Sequence, residues 1–185
     1  DKVVIVPGEY ENIKITTTAD LREEDNMFPL IGHGYDVHRL VENRSLILAG
    51  VQIPYQLGLL GHSDADVAAH AVSDAILGAA GMGDIGELFP DTDPQYAGAD
   101  SMVLLTEVVK RLQALHLKVG NVDLTIIAQR PKLSPWKANM RSNLAAVLML
   151  PQERVGIKFT TSEGLGFTGR GEGIAAHAVV TLFNV

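Results

Sequence analysis

An aspartate and a histidine stand two apart in Asp36-Val37-His38. At the end of a strand alternate side chains share a face, so both can reach one metal ion. Two further histidines follow, His62 just before an expected helix and His70 inside it. Asp66, His70 and Asp74 recur every four residues and line one helical face, among alanines small enough to let another element approach. Two histidines and one carboxylate with a fourth position open make the zinc arrangement of catalytic sites, not of structural ones. D-x-H also arises by chance, and His70 reads equally well as a helix-face histidine bonded to Asp66 or Asp74. His177, in an apolar strand, reads as a packed or surface histidine.

Three other groupings could bind a substrate or an ion. Thr160-Thr161-Ser162-Glu163 runs into a glycine-rich stretch from Gly164 to Gly173. Hydroxyls and glycine amides at a strand end suit phosphate oxygens, and a carboxylate there suits Mg²⁺. By composition alone an ordinary glycine-rich turn is the better reading. Ala128-Gln129-Arg130-Pro131-Lys132-Leu133-Ser134 reads as a strand-to-helix loop whose helix N-terminus attracts anions, or as a plain connector ending in a capping serine. Asp84-Ile85-Gly86 and Phe89-Pro90-Asp91-Thr92-Asp93 offer ribose or metal ligands, or only a solvated acidic loop.

The elements that must position these groups are legible from Leu30 onward. Ile31–Val37 and Ser45–Ile53 read as strands, the second as one run through Leu46-Ile47-Leu48. Ser63, with Asp66 three residues on, reads as the cap of a helix reaching about Ala80. Residues 81–98 form a loop longer than the usual connection. Ser101–Leu117 has helical apolar spacing, Val119–Gln129 reads as a strand, and Ser134-Pro135 opens a helix to about Leu150. Val155–Thr161 and a long final strand through Val179 and Val180 complete the chain. Strands and helices mix without strict alternation, which makes the fold class α+β.

The chain has 185 residues and a net charge of −7, one domain's worth of sequence. Hydrophobic residues at 46% and charged residues at 20% fit a globular fold. The acidic balance without a basic run disfavours nucleic acid and anionic membranes as partners. No stretch reads as a membrane span or a secretory leader. The sequence contains no cysteine, which removes disulfides and thiolate metal sites and makes a cytoplasmic setting the default. Residues 1–29 carry too few apolar side chains for a core of their own and read, on those residues alone, as a disordered extension. The start at Asp1 reads as that of a fragment or a processed product.

Taken together the wording is specific. G-Y-D-V-H (34–38), G-H-S-D-A-D-V (61–67), G-D-I-G-E-L-F-P-D-T-D-P (83–94), N-V-D-L-T-I-I-A-Q-R-P-K-L (121–133) and T-T-S-E-G-L-G-F-T-G-R-G-E-G-I-A (160–175) closely resemble the 2-C-methyl-D-erythritol 2,4-cyclodiphosphate synthases. These are lyases of the non-mevalonate isoprenoid pathway. The resemblance covers residues 30–185. It implies Asp36, His38 and His70 as zinc ligands, and His62 and Ser63 at the erythritol-phosphate end, His62 as a transition-state stabiliser. It implies substrate contacts at Val37 and Ile85, ribose contacts at Asp84 and Gly86, and an erythritol pocket of Phe89, Pro90, Asp91, Thr92 and Asp93. Ala128, Gln129, Arg130, Pro131, Lys132, Leu133 and Ser134 match the cytosine and diphosphate pocket. Thr160, Thr161, Ser162 and Glu163 match phosphate and Mg²⁺ or Mn²⁺ contacts, Thr161 catalytic among them, with Phe167 and Arg170 closing the site. Ser162 stands where a third threonine is common, and Trp136 where a smaller or imidazole side chain is usual.

The implied architecture is a mixed four-stranded sheet with helices packed on one face, assembled as a cyclic homotrimer with active sites between subunits. The implied reaction is attack of a 2-phosphate on the β-phosphorus of a cytidine diphosphate ester, releasing CMP. A zinc phosphohydrolase on the same triad and a non-catalytic nucleotide-binding module are the competing readings, and both leave the phosphate-loop wording unexplained. V-P-G-E-Y-E-N-I-K-I-T-T-T-A-D-L (6–21) is similar to the C-terminal end of 2-C-methyl-D-erythritol 4-phosphate cytidylyltransferases. Residues 1–29 are therefore expected to be a cytidylyltransferase remnant in a multifunctional enzyme. The transferase's glycine-rich nucleotide-binding start is not in this sequence, so that activity is expected to be absent.

Overall fold

In the computed structural model, Thr16 and residues 28–185 are described. The expectations for residues 1–27 other than Thr16 lie outside the described residues. The elements in chain order are β1 (Leu30–Val41), β2 (Leu46–Leu48), β3 (Val51–Ile53), β4 (Gly58–Leu59), α1 (Val67–Ala80), α2 (Ile85–Leu88), α3 (Ser101–Ala114), β5 (Leu117–Ile127), α4 (Lys137–Leu148), β6 (Val155–Thr160), α5 (Gly166–Gly169) and β7 (Gly173–Asn184). Short 3₁₀ turns cover Pro94–Tyr96, Ser134–Trp136 and Gln152–Arg154.

The main sheet has five strands in the order β4-β1-β7-β5-β6, not the expected four, and β2–β3 form a separate two-stranded ribbon. The extra strand is β4, whose two residues pair with Leu40 and Val41. It is too short to leave a period in the sequence. Strand β7 runs antiparallel to both β1 and β5, while β5 and β6 are parallel, so the sheet is mixed. The run Ser45–Ile53 is a hairpin and not one strand, because Ala49 and Gly50 both take positive φ and turn the chain between Leu48 and Val51.

Alternation along the strands sorts the two faces. Ile174, Ala176, Ala178, Val180 and Leu182 of β7 are buried beneath the helices with Val122, Leu124 and Ile126 of β5. The opposite face presents Ile31, Tyr35, Val37 and Val179, exposed at 68%, 43%, 39% and 41%. Helix α1 lies directly on β1 because Gly32 and Gly34 have no side chains: a Cβ on Gly34 would stand 2.0 Å from the Ala71 carbonyl oxygen. Its end is set by Gly81, which takes the left-handed conformation and donates back to Gly78 and Leu77 carbonyls.

The N-cap of α1 is Asp66, not Ser63. One carboxylate oxygen of Asp66 accepts the Ala68 and Ala69 N–H groups at 3.1 Å and the Ala49 N–H at 2.8 Å. The other accepts the Gly50 N–H at 2.7 Å. One buried side chain thus ties the β2–β3 turn to the start of α1, which no local pattern can signal. Ser134 likewise makes no side-chain cap; a 3₁₀ turn precedes α4.

Candidate functional site

The second half of β1 and the first turn of α1 converge on three side chains. Asp36 Oδ2 lies 3.0 Å from His38 Nε2 and 3.0 Å from His70 Nδ1, and the two imidazole nitrogens are 3.3 Å apart. A tetrahedral ion with bonds of about 2.0–2.1 Å sets its ligands about 3.3 Å apart, so this triangle has the size of one face of such a site. The other oxygen of Asp36 accepts the Val37 N–H at 2.8 Å, which turns Oδ2 toward the histidines. His38 donates from Nδ1 to the Leu60 carbonyl at 2.8 Å, leaving Nε2 with its lone pair for the cluster. A carboxylate oxygen and bare ring nitrogens at this distance repel unless a proton or a cation lies among them. The donor set therefore fits a divalent ion bound by nitrogen and oxygen.

The electrostatics agree. Burial pushes the Asp36 carboxyl up, but hydrogen bonds from His38 and His70 and their charge outweigh it and hold the group well below the usual carboxylate range. Burial alone would lower His38, yet its bond to Asp36 and that carboxylate's charge raise it. Asp74, one turn beyond His70, is raised by burial and by the neighbouring Asp84 and Asp36 carboxylates. Its Oδ1 accepts the Ile85 N–H at 2.8 Å and so fastens α2 beside the cluster.

The triad opens into a cleft of 530 Å³ shared with His62, Ser63, Asp74, Ile85, Gly86, Phe89, Pro90 and Asp91. Tyr96 and Leu104 also line it and were not singled out from the sequence. His62 Nε2 donates to the Asp93 carbonyl at 3.3 Å. Asp84 caps α2 by accepting the Glu87 N–H, and Asp93 accepts the Gln95 N–H at 3.0 Å. Neither Asp84, Thr92 nor Asp93 lines the cleft wall. Val37 points to the other face of the sheet, as alternation from Asp36 and His38 requires.

A second cavity of 660 Å³ is lined by the whole run Ala128 to Ser134 together with Thr160, Thr161, Tyr55 and Phe159. The Arg130–Pro131 bond in this loop is cis. Tyr55 carries no sequence signal beyond its place after Pro54. Thr161 donates from Oγ1 to Glu163 Oε1 at 2.8 Å, with Glu163 at positive φ in the turn. Ser162 bonds Thr168 through their hydroxyls. Arg170 lines an adjoining pocket of 370 Å³ and grips both oxygens of Glu172 at 2.7 and 3.2 Å. Neither Ser162, Glu163 nor Phe167 lines the 660 Å³ cavity. The cleft at the Asp36–His38–His70 triad and the 660 Å³ cavity have no lining residue in common. His177 sits on the outer sheet face, 3.1 Å from His33 Nε2. Among the described residues no helix is long and apolar enough to cross a membrane.

With this geometry in place, comparison with known proteins is direct. The YgbB family matches residues 30–183. A 2-C-methyl-D-erythritol 2,4-cyclodiphosphate synthase from Geotalea uraniireducens is 62% identical over 152 residues, covering 82% of this chain and 97% of that protein. A bifunctional enzyme IspD/IspF from Desulforudis audaxviator is 55% identical over 184 residues, or 97% of this chain. The chain spans about half the length of that relative, 47%. A solved 2C-methyl-D-erythritol-2,4-cyclodiphosphate synthase in its CDP-bound form superposes with a TM-score of 0.76 at 45% identity, covering 82% of this chain and 99% of that one.

Proposed function

The chain belongs to the YgbB family, and from that premise we propose that it closes 4-diphosphocytidyl-2-C-methyl-D-erythritol 2-phosphate into 2-C-methyl-D-erythritol 2,4-cyclodiphosphate, releasing CMP. The observation that carries this reading is the Asp36–His38–His70 triangle opening into the same cleft as His62 and Ser63, in a chain 62% identical to a synthase of that name.

The nucleophile is the substrate's own 2-phosphate. An oxygen of it bonds to the β-phosphorus, the bridging P–O bond to the α-phosphate breaks, and CMP leaves with that electron pair. A phosphate monoester is largely dianionic at neutral pH, its second pKa being about 6, so no protein base is needed. When bound, zinc on Asp36, His38 and His70 and Mg²⁺ or Mn²⁺ on Glu163 supply positive charge to the phosphoryl oxygens. His62 and Ser63 hold the erythritol-phosphate end by N–H and O–H donation, His62 stabilising charge as it develops. Thr160, Thr161 and Lys132 hold the diphosphate, and the Ala128–Ser134 loop takes the cytosine; the CDP-bound relative supports a nucleotide ligand. Asp84, Ile85 and Gly86 bind the ribose, Phe89 to Asp93 the methylerythritol, and Phe167 with Arg170 closes the pocket. Holding nucleophile and target in line is worth roughly 7–11 kcal/mol.

The working unit is a cytoplasmic homotrimer with each site shared between neighbours. Two features support this: the exposed apolar side chains Ile31, Tyr35, Val37 and Val179 on the outer sheet face, and the absence of any lining residue common to the triad cleft and the 660 Å³ cavity within one chain. Residues 1–29 are read as the end of a preceding cytidylyltransferase domain, in keeping with the longer alignment to the bifunctional relative. Phosphorus NMR of the product formed with zinc and magnesium present tests the reaction. A cyclic diphosphate with one CMP is expected; CMP with a linear bisphosphate would make the protein a hydrolase instead.

A further inference from the structure

The residues around His70 form a chain of hydrogen bonds running away from the substrate cleft. His70 Nε2 lies 2.8 Å from Ser101 Oγ, at the first residue of α3, and that hydroxyl donates to Asp64 Oδ1. Ser101 is fully buried. Asp64 is anchored in turn: its carboxylate accepts the Ser101 N–H and the Asp66 N–H, each at 3.2 Å, and its own N–H donates to the Ala99 carbonyl at 3.0 Å. Ser63 Oγ offers His70 Nε2 only a longer contact of 3.3 Å and is itself engaged by the Ala65 N–H.

The direction of each proton follows. An ionised carboxylate only accepts, so the single hydroxyl proton of Ser101 goes to Asp64. The oxygen of Ser101 then has lone pairs alone to offer His70, and Nε2 must carry the ring proton. His70 Nδ1 is left with a lone pair aimed at Asp36 Oδ2 and His38 Nε2. His38 reaches the same tautomeric state through the Leu60 carbonyl, so the two histidines are prepared by different means, one by backbone and one by side chains.

We propose that Asp64 and Ser101 are positioning residues for the metal site, fixing His70 in the Nε2-protonated tautomer and passing the Asp64 charge to it as added donor strength. This rests on the metal reading of the Asp36–His38–His70 triangle. Partners of this kind around metal-bound histidines commonly change affinity 10–100-fold when removed.

The test is zinc affinity of the purified full chain, by competition with a chromophoric chelator, for wild type, His70→Ala, Ser101→Ala, Ser101→Thr and Asp64→Asn. Ser101→Ala and Asp64→Asn are expected to weaken zinc roughly 10–100-fold, and Ser101→Thr, which keeps the hydroxyl, to recover most of it. A merely structural serine would lower the melting temperature of the metal-stripped protein while zinc affinity stayed within about twofold of wild type; that result in both variants overturns the proposal. Should Ser101→Ala not fold, Asp64→Asn decides alone. If wild type takes up no more zinc than His70→Ala, the metal reading itself fails and the positioning role fails with it.

Discussion

Asp36 Oδ2 and His70 Nδ1 are 3.0 Å apart although 34 positions separate them in the chain. The contact exists because β1 and α1 touch backbone to backbone at Gly32 and Gly34, where an added Cβ would fall 1.9 and 2.0 Å from helix carbonyl oxygens. The geometry of the triad is thus inherited from a glycine pair on the same face as Asp36 and His38.

Gly34→Ala is therefore expected to harm the site from outside it. The helix must move outward, at a typical overpacking cost of about 1–3 kcal/mol or more, and His70 moves with it. Thermal melting and bound zinc should fall together. A variant with lowered stability but wild-type zinc affinity would show that His70 is held independently of the helix–strand contact.

Within the cleft, the histidines should separate by role. His38→Ala and His70→Ala should lose zinc and nearly all activity, since a three-ligand site losing one donor binds weakly. His62→Ala should retain zinc while its turnover falls by about 10²-fold or more, the usual effect of removing one preorganised charge-stabilising donor. Metal analysis alongside rates checks this, and full zinc in the His38 and His70 variants would overturn the ligand assignment.

Asp66 predicts a pH effect on folding. Burial pushes its carboxyl up from 3.8 to about 6, against the Gly50, Ala49 and Ala69 N–H groups that favour the charged form. Between about pH 4 and 6 the folded state keeps a proton that the unfolded chain has lost, so this contribution to stability is lost as pH rises through that window. Asp66→Asn removes the titration. In urea unfolding of the metal-stripped proteins, the advantage of wild type over Asp66→Asn should be larger at about pH 4.5 than at about pH 7, by about 1–3 kcal/mol. Equal gaps would mean that the amides keep the carboxylate ionised throughout.

The residues with chemistry were easier to read than the contacts that arm them. Asp36 and His38 on one strand face, and His70 on the α1 face, follow from periods of two and four. Asp66 fits a cap as well as Ser63 does, but what selects it is the pair of amides at Ala49 and Gly50, distant in sequence. The same turn divides Ser45–Ile53, since an alanine at positive φ leaves no trace in composition. Ser101 has the pattern of an ordinary helix start after Asp100, and only the fold brings its hydroxyl to His70. The outer sheet face, alternating cleanly with the core, shows Ile31, Tyr35 and Val37 where a solvated strand would carry polar residues.

That face and the two cavities without a common lining residue lead to a test of assembly. If each site joins the zinc side of one subunit to the nucleotide pocket and Glu163 of the next, two inactive variants can repair each other. His38→Ala lacks the zinc side and Glu163→Ala the pocket side. Unfolded together in equal amounts and refolded, they form rings of three of which about three quarters are mixed. Every mixed ring has one interface where an intact zinc side meets an intact pocket side, so about a quarter of all sites should recover. Each variant refolded alone should remain inactive, and native mass spectrometry of an isotope-labelled partner shows whether subunits have exchanged. Proven exchange without any recovered cyclic product would place the whole site within one chain, and the outer sheet face would then need another occupant.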